Sequence, residues 1–166
     1  RRSSDLGRFA KDCWNTDEII RLPCLIRWPR AIPAGHTVDQ LVESIDLMPT
    51  LLEALGMQKP IGCDGRSQWP SVTGAAPGGR EHILVEGAQN DEDQRFWKYG
   101  DSPYATGSYK TIRTADYKYW RDHRGGEVLY DLRRDPHEFE NVAADPACRE
   151  ALWEMRERML AALIST

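Results

Sequence analysis

The sequence predicts an α/β fold in two successive parts, the end of a larger α/β sandwich and then a small antiparallel sheet packed by a C-terminal helix. Three observations lead there. Residues 22–28 form an apolar run without polar alternation, as suits a strand covered on both faces. Residues 108–132 hold three short strand-like runs joined by tight turns. The last twenty residues carry apolar positions at helical spacing.

The elements follow in order. Leu22, Cys24, Leu25 and Ile26 read as a buried strand that Pro29 ends. Leu47, Leu51, Leu52 and Leu55 predict a helix, with Ser44 or Asp46 as its cap, Pro49 in its first turn and Gly56 at its left-handed C-terminal cap. A loop rich in Pro and Gly occupies 60–79, with one short helical turn at 67–73. Strand character resumes at 81–86, and 90–104 is polar and irregular. Strands are expected at 108–114, 117–121 and 127–132, linked by Ala115 and Asp116 and then by Gly125 and Gly126. Alternation puts Tyr117 and Tyr119 on one face and Lys118 and Trp120 on the other. Asp135, Pro136 and Glu138 resemble a capped helix start, and Asp145 with Pro146 repeats the device. The final helix should present Cys148, Leu152, Met155, Met159 and Leu163 to the small sheet. The division into domains is expected at 1–80 and 81–166.

Composition narrows the function classes. With 166 residues, 40% hydrophobic and 29% charged, the chain supports one globular core. No run reaches the roughly 18 apolar residues of a membrane span, so no membrane role is expected. The net charge of −4 and the scattered basic residues give no basic stripe for nucleic acid. Cys13, Cys24, Cys63 and Cys148 match no zinc spacing and read as buried free thiols, which slightly favours a cytoplasmic setting. The absence of an initiating Met reads as a polypeptide entered mid-sequence.

Spacing alone supplies no catalytic constellation. There is no Gly-x-Ser-x-Gly and no phosphate loop, and His36, His82, His123 and His137 are scattered. Asp17 and Glu18 are adjacent and so point apart, as in a helix start or a structural salt bridge rather than a cation site.

The order of short signatures carries a resemblance. Lys11 leads through Asp17 and Glu18 to Arg21, Pro23, Ile26 and Pro29, then Val38 and Asp39, then Glu43-Ser-Ile-Asp-Leu-Met-Pro-Thr-Leu-Leu52 and Leu55-Gly56. Cys63-Asp-Gly-Arg-Ser67, Lys110 to Arg113, Asp116-Tyr-Lys-Tyr119, Leu129-Tyr-Asp-Leu132, Asp135 to Glu138, Asn141-Val-Ala143 and Asp145-Pro146 follow. Together these resemble the C-terminal portion of the sulfatase family, hydrolases of the alkaline phosphatase superfamily, over residues 9–165. The resemblance implies the end of an alkaline-phosphatase-like α/β sandwich. It also implies ester hydrolysis by a formylglycine nucleophile beside a divalent cation, usually calcium. The nucleophile motif Cys-x-Pro-x-Arg is missing: Cys63 is followed by Asp64-Gly65-Arg66 and lacks the Pro. The main metal ligands would lie before Arg1. Lys11 matches the family lysine that contacts the transferred sulfate or phosphate. Asp46 reads as a helix cap, and Arg113 with Tyr117 to Tyr119 as sheet residues.

The expectation is therefore a sulfuric ester hydrolase whose nucleophile and calcium ligands lie mostly outside this chain, so that the chain alone is inactive. Its expected partners are a sulfate or phosphate ester, an N-terminal sulfatase domain and a second copy in a homo-oligomer. The alternatives are a phosphonate or phosphate ester hydrolase of the same superfamily, and a non-catalytic interaction module.

Overall fold

The computed structural model describes residues 16–87 and 108–165, so Lys11 and Cys13 lie outside the described residues. Two compact units are present. One is Cys24–Ile83, and the other is Leu84–Ser165 together with the stretch up to Pro23.

The second unit is built on a four-stranded sheet of order β1-β2-β3-β4, comprising β1 (Ile83–Gly87), β2 (Tyr109–Arg113), β3 (Tyr117–Asp122) and β4 (Glu127–Asp131). β2 and β3 pair antiparallel with Ile112 opposite Tyr119, and β3 and β4 pair antiparallel with Tyr119 opposite Leu129. Local chemistry makes the turns. Thr114 accepts the Tyr117 amide on its hydroxyl, and Asp122 Oδ1 accepts the Arg124 and Gly126 amides while Gly125 takes φ +88°.

Helix α4 (Arg149–Ile164) follows a 3-10 turn at Pro146–Cys148, where Asp145 accepts the Ala147 amide and Pro146 supplies a preset φ. The row Ile112, Tyr119 and Leu129 packs against Cys148, Leu152, Met155 and Met159 of this helical segment, forming the core. The apolar face read from the sequence is the buried one, except that Leu163 lies at the exposed end. The free edge of β4 is closed by the following loop, since Asn141 Oδ1 accepts the Leu129 amide and the Val142 amide reaches the Leu129 carbonyl.

The first unit contains a 3-10 turn at Ser44–Asp46, helix α2 (Leu47–Ala54) and helix α3 (Trp69–Thr73), and a short helix α1 (Asp17–Ile20) precedes it in the chain. α2 ends where expected, with Gly56 at φ +67° and the Met57 amide bonded to the Leu52 carbonyl. An isolated antiparallel bridge joins Leu41 to Arg80. Trp28 and Trp69 pack with their ring centroids 5.4 Å apart and their planes tilted by 47°, and His36 Nε2 lies 2.7 Å from the Ser71 carbonyl.

Three expectations need correction. Residues 22–28 form no strand, and Leu25 is 98% exposed. A strand draws its hydrogen bonds from neighbours, and no described strand pairs with this run. Residues 135–138 form a turn instead of a helix start, for reasons of charge given below. Cys24 is exposed and Cys63 half-buried; of the described cysteines, only Cys148 is buried.

Gly65 is a test of how tightly the first unit is built. A Cβ there would lie 2.1 Å from the Ile45 carbonyl oxygen. Gly65→Ala should therefore destabilise the chain by about 1–3 kcal/mol, read as a lowered urea midpoint with unchanged slope.

Candidate functional site

The strand β3 places a lysine where a lysine is costly. Tyr117 and Tyr119 face α4, so alternation turns Lys118 to the opposite face, and its side chain is fully buried. Its cross-strand partner in β2 is Arg113. Two like charges side by side on one face repel, and the pair persists only with carboxylates beside it.

Two carboxylates come from distant parts of the chain. Lys118 Nζ donates to both Glu138 oxygens at 3.0 and 3.1 Å, and to Asp17 Oδ1 at 3.2 Å. Arg113 Nε donates to Asp17 Oδ2 at 2.9 Å, and its Nη1 donates to the Thr114 carbonyl. Asp17 thus sits between the two cations. Its own backbone amide donates to Glu138 Oε1 at 3.0 Å, which closes the network and pins the start of α1 to the sheet unit.

Glu138 reaches Lys118 only because its backbone turns left-handed, at φ +59°. For a non-glycine residue this costs about 1–2 kcal/mol. The turn is braced by the Glu138 amide on the Asp135 carbonyl and by Asp135 Oδ2, which accepts the Glu140 amide. Asp135 therefore caps a turn, and the helix anticipated there gives way to the need to neutralise Lys118.

Burial and the neighbouring Asp17 carboxylate push the Glu138 carboxyl up to about 7, against the pull of Lys118. Burial acts in the same sense on Asp17, but hydrogen bonds from Arg113 and the charge of Lys118 outweigh it and hold Asp17 below its ordinary value.

The first unit has its own buried carboxylate, Asp46. Oδ1 accepts from the Arg66 amide at 2.7 Å and from Arg80 Nη2 at 2.5 Å, while Oδ2 accepts from the Glu43 amide at 3.0 Å and from Arg80 Nε at 2.9 Å. Burial raises its pKa, and Arg80 with the two amides brings it below the usual carboxylate range. Asp46 was expected to cap the helix. It makes no side-chain cap to α2, and instead closes the Ser44–Asp46 turn and ties it to Arg66 and Arg80. Arg80 was not singled out from the sequence; the hint was a lone arginine directly after Gly78 and Gly79.

These carboxylates do not fit calcium. Each oxygen of Asp46 and Asp17 already accepts from protein donors, and among the described residues no group of three or more His, Cys, Asp or Glu is placed to hold a metal. The two clusters bind chain to chain. Lys11, the expected contact to the transferred group, lies outside the described residues, and Arg113 and Tyr119 are sheet residues as expected.

The raised Glu138 pKa has a pH signature. Between about 4.5 and about 7 the folded chain holds a proton on Glu138 that the unfolded chain releases, so this group's stabilisation is present at low pH and is lost as pH rises through 7. The melting temperature should fall between pH 5 and 8, and Glu138→Gln should flatten that fall. An identical slope in the variant would contradict the assignment.

Comparison with known proteins supplies the family. The family described as N-sulphoglucosamine sulphohydrolase, C-terminal, matches residues 5–164. The chain is 35% identical over 119 residues to the multifunctional alkaline phosphatase superfamily protein PehA of Trinickia caryophylli, covering 69% of this chain and 23% of that protein. It is 28% identical to the N-acetylglucosamine-6-O-sulfatase of Bacteroides thetaiotaomicron, over 76% of this chain and 22% of that one. The solved phosphonate monoester hydrolase of Silicibacter pomeroyi superposes with a TM-score of 0.66 at 30% identity, over 81% of this chain and 27% of its own. The chain thus spans about a quarter of the length of the relatives it matches. No described helix is long and apolar enough to cross a membrane. With the family matched from end to end and the small sheet under α4 in place, this chain belongs to the sulfatase C-terminal family of the alkaline phosphatase superfamily.

Proposed function

We propose that the chain is the C-terminal quarter of a metal-dependent sulfuric ester hydrolase and contributes Lys11 to the substrate site. The observation that carries this reading is the family match over residues 5–164, combined with the short share of each relative that the chain covers. In this reading the formylglycine nucleophile and the calcium ligands belong to an N-terminal sulfatase domain. Residues 1–80 complete the α/β core and 81–166 form the subdomain beyond it. The separate packing of Cys24–Ile83 supports that division, with the stretch up to Pro23 grouped with the sheet unit.

Lys11 suits its proposed role because an ammonium is a compact charge that balances negative charge developing on ester oxygens. It lies six residues before Asp17, the residue that anchors this segment to Lys118 and Arg113. A lysine set beside a substrate needs a fixed attachment point near it in the chain. Asp17 is such a point.

A second reading has a specific observation behind it. One relative at 35% identity is a multifunctional member of the superfamily, and a structural neighbour at 30% identity is a phosphonate monoester hydrolase. Cleavage of phosphonate or phosphate esters is therefore the alternative chemistry, with the same cation requirement and the same role for Lys11.

Both readings are tested with the polypeptide of the gene's complete reading frame, assayed with calcium or manganese against an aryl sulfate and an aryl phosphonate. The 166-residue chain alone should show no turnover above buffer. The complete polypeptide should hydrolyse one ester preferentially, and Lys11→Ala should lower kcat/KM by about 10²–10³-fold. Metal-dependent turnover by the 166-residue chain alone would contradict the proposal.

A further inference from the structure

Helix α4 has two apolar stripes, and only one of them forms the core. Leu152, Met155 and Met159 pack on the sheet. At about 100° per residue, Trp153, Leu160 and Ile164 fall on a different side, within an arc of about 40°. Trp153 is 64% exposed, Leu160 54% and Ile164 76%. A single exposed apolar side chain needs no explanation, but three in line along one helix make a patch.

The charges beside this stripe are sorted by sign. The same helical spacing puts Arg149 and Arg156 along one flank and Glu150 and Glu157 along the other. Arg149, Glu150 and Glu157 are exposed, while Arg156 is half-buried and also binds Glu127. Such a layout matches itself. When two copies set their stripes together with the helices parallel, about a two-fold axis running along them, the acidic flank of each meets the basic flank of the other. Glu150 then lies level with Arg149 of the second copy, and Glu157 level with Arg156 of the second copy. An antiparallel pair would instead bring acid to acid and arginine to arginine.

We propose that the Trp153, Leu160 and Ile164 face of α4 is a two-fold interface on which a second copy of this chain packs, with the two helices parallel. Each of the three side chains meets its own counterpart across the axis, as an isologous contact requires. Charge selects the occupant: a surface made for an unrelated partner has no need to match itself, and this one does so in one orientation only. A single helical seam buries less than the roughly 800 Å² per partner of a standard interface. The dimer is therefore a weak one that responds to concentration. The proposal gives the expected second copy a place, and it is independent of which ester the protein cleaves.

Sedimentation velocity of the polypeptide of the complete reading frame, over about 1–200 µM, tests it. A concentration-dependent pairing step should be present, and Leu160→Glu or Trp153→Glu should weaken that step at least about tenfold. Should either glutamate variant fail to fold, Leu160→Ser should act in the same direction with a smaller effect. Charge reversal reads the orientation. Arg149→Glu alone and Glu150→Arg alone should each weaken pairing by placing like charges level with one another, and the two changes in one chain should restore it. Absence of pairing across the range would overturn the proposal, as would pairing that Leu160→Glu leaves unchanged. Single reversals that strengthen pairing, the antiparallel result, or a double reversal that fails to restore it would overturn it equally.

Discussion

A lysine in the middle of a sheet, with no access to water, constrains everything around it. The strand β3 cannot place Tyr119 in the core against Ile112 and Leu129 without sending Lys118 to the opposite, equally covered face. Once there, the ammonium requires carboxylates, since an unpaired buried charge costs several kcal/mol. Two features follow directly. The loop after β4 accepts a left-handed Glu138, and the segment around Asp17, about a hundred residues away in sequence, is tied onto the sheet. The ion network does for α1 what apolar contacts do for α4: it gives a short element of four residues a fixed place.

The first unit applies a related device to a different end. Asp46 gathers Arg80, Arg66 and Glu43, and Thr50 extends that polar interior beneath α2. The interior of this unit is thus specified by directional bonds, and many of its large apolar side chains, among them Leu47, Met48, Leu51 and Leu55, are left exposed. Such an arrangement suits a piece of a larger core better than a self-sufficient one, because hydrophobic burial is the main favourable term in folding and here much of it is still unrealised.

The parts of the fold that the sequence disclosed are those governed by local periodicity. The meander, the α4 face and the α2 ends follow from alternation, helical spacing and turn residues lying within a few positions of one another. What stayed hidden was set by distant partners. Residues 22–28 carry a strand's composition, yet a strand exists only where a neighbour offers its backbone. Asp135, Pro136 and Glu138 have a helix-start pattern, but Lys118, twenty residues earlier, claims the glutamate. Asp46 looked like a helix cap for good local reasons and proved to be the centre of a clamp whose other half, Arg80, is 34 residues on. The stretches that carry the family signatures are the ones that hold these partners. Their residues meet in space: Asp17 with Lys118 and Glu138 in one unit, and Glu43 with Asp46 and Arg66 in the other.

The sheet unit depends most on the pairing of Lys118 with Glu138. A double-mutant cycle of Lys118→Met and Glu138→Met, followed by urea unfolding of the chain, measures that dependence directly. Either change alone leaves one buried polar partner unmatched, and the two together remove the mismatch. The predicted result is a coupling of at least about 1 kcal/mol, with the double variant more stable than the sum of the single losses. Additivity within about 0.3 kcal/mol would contradict it.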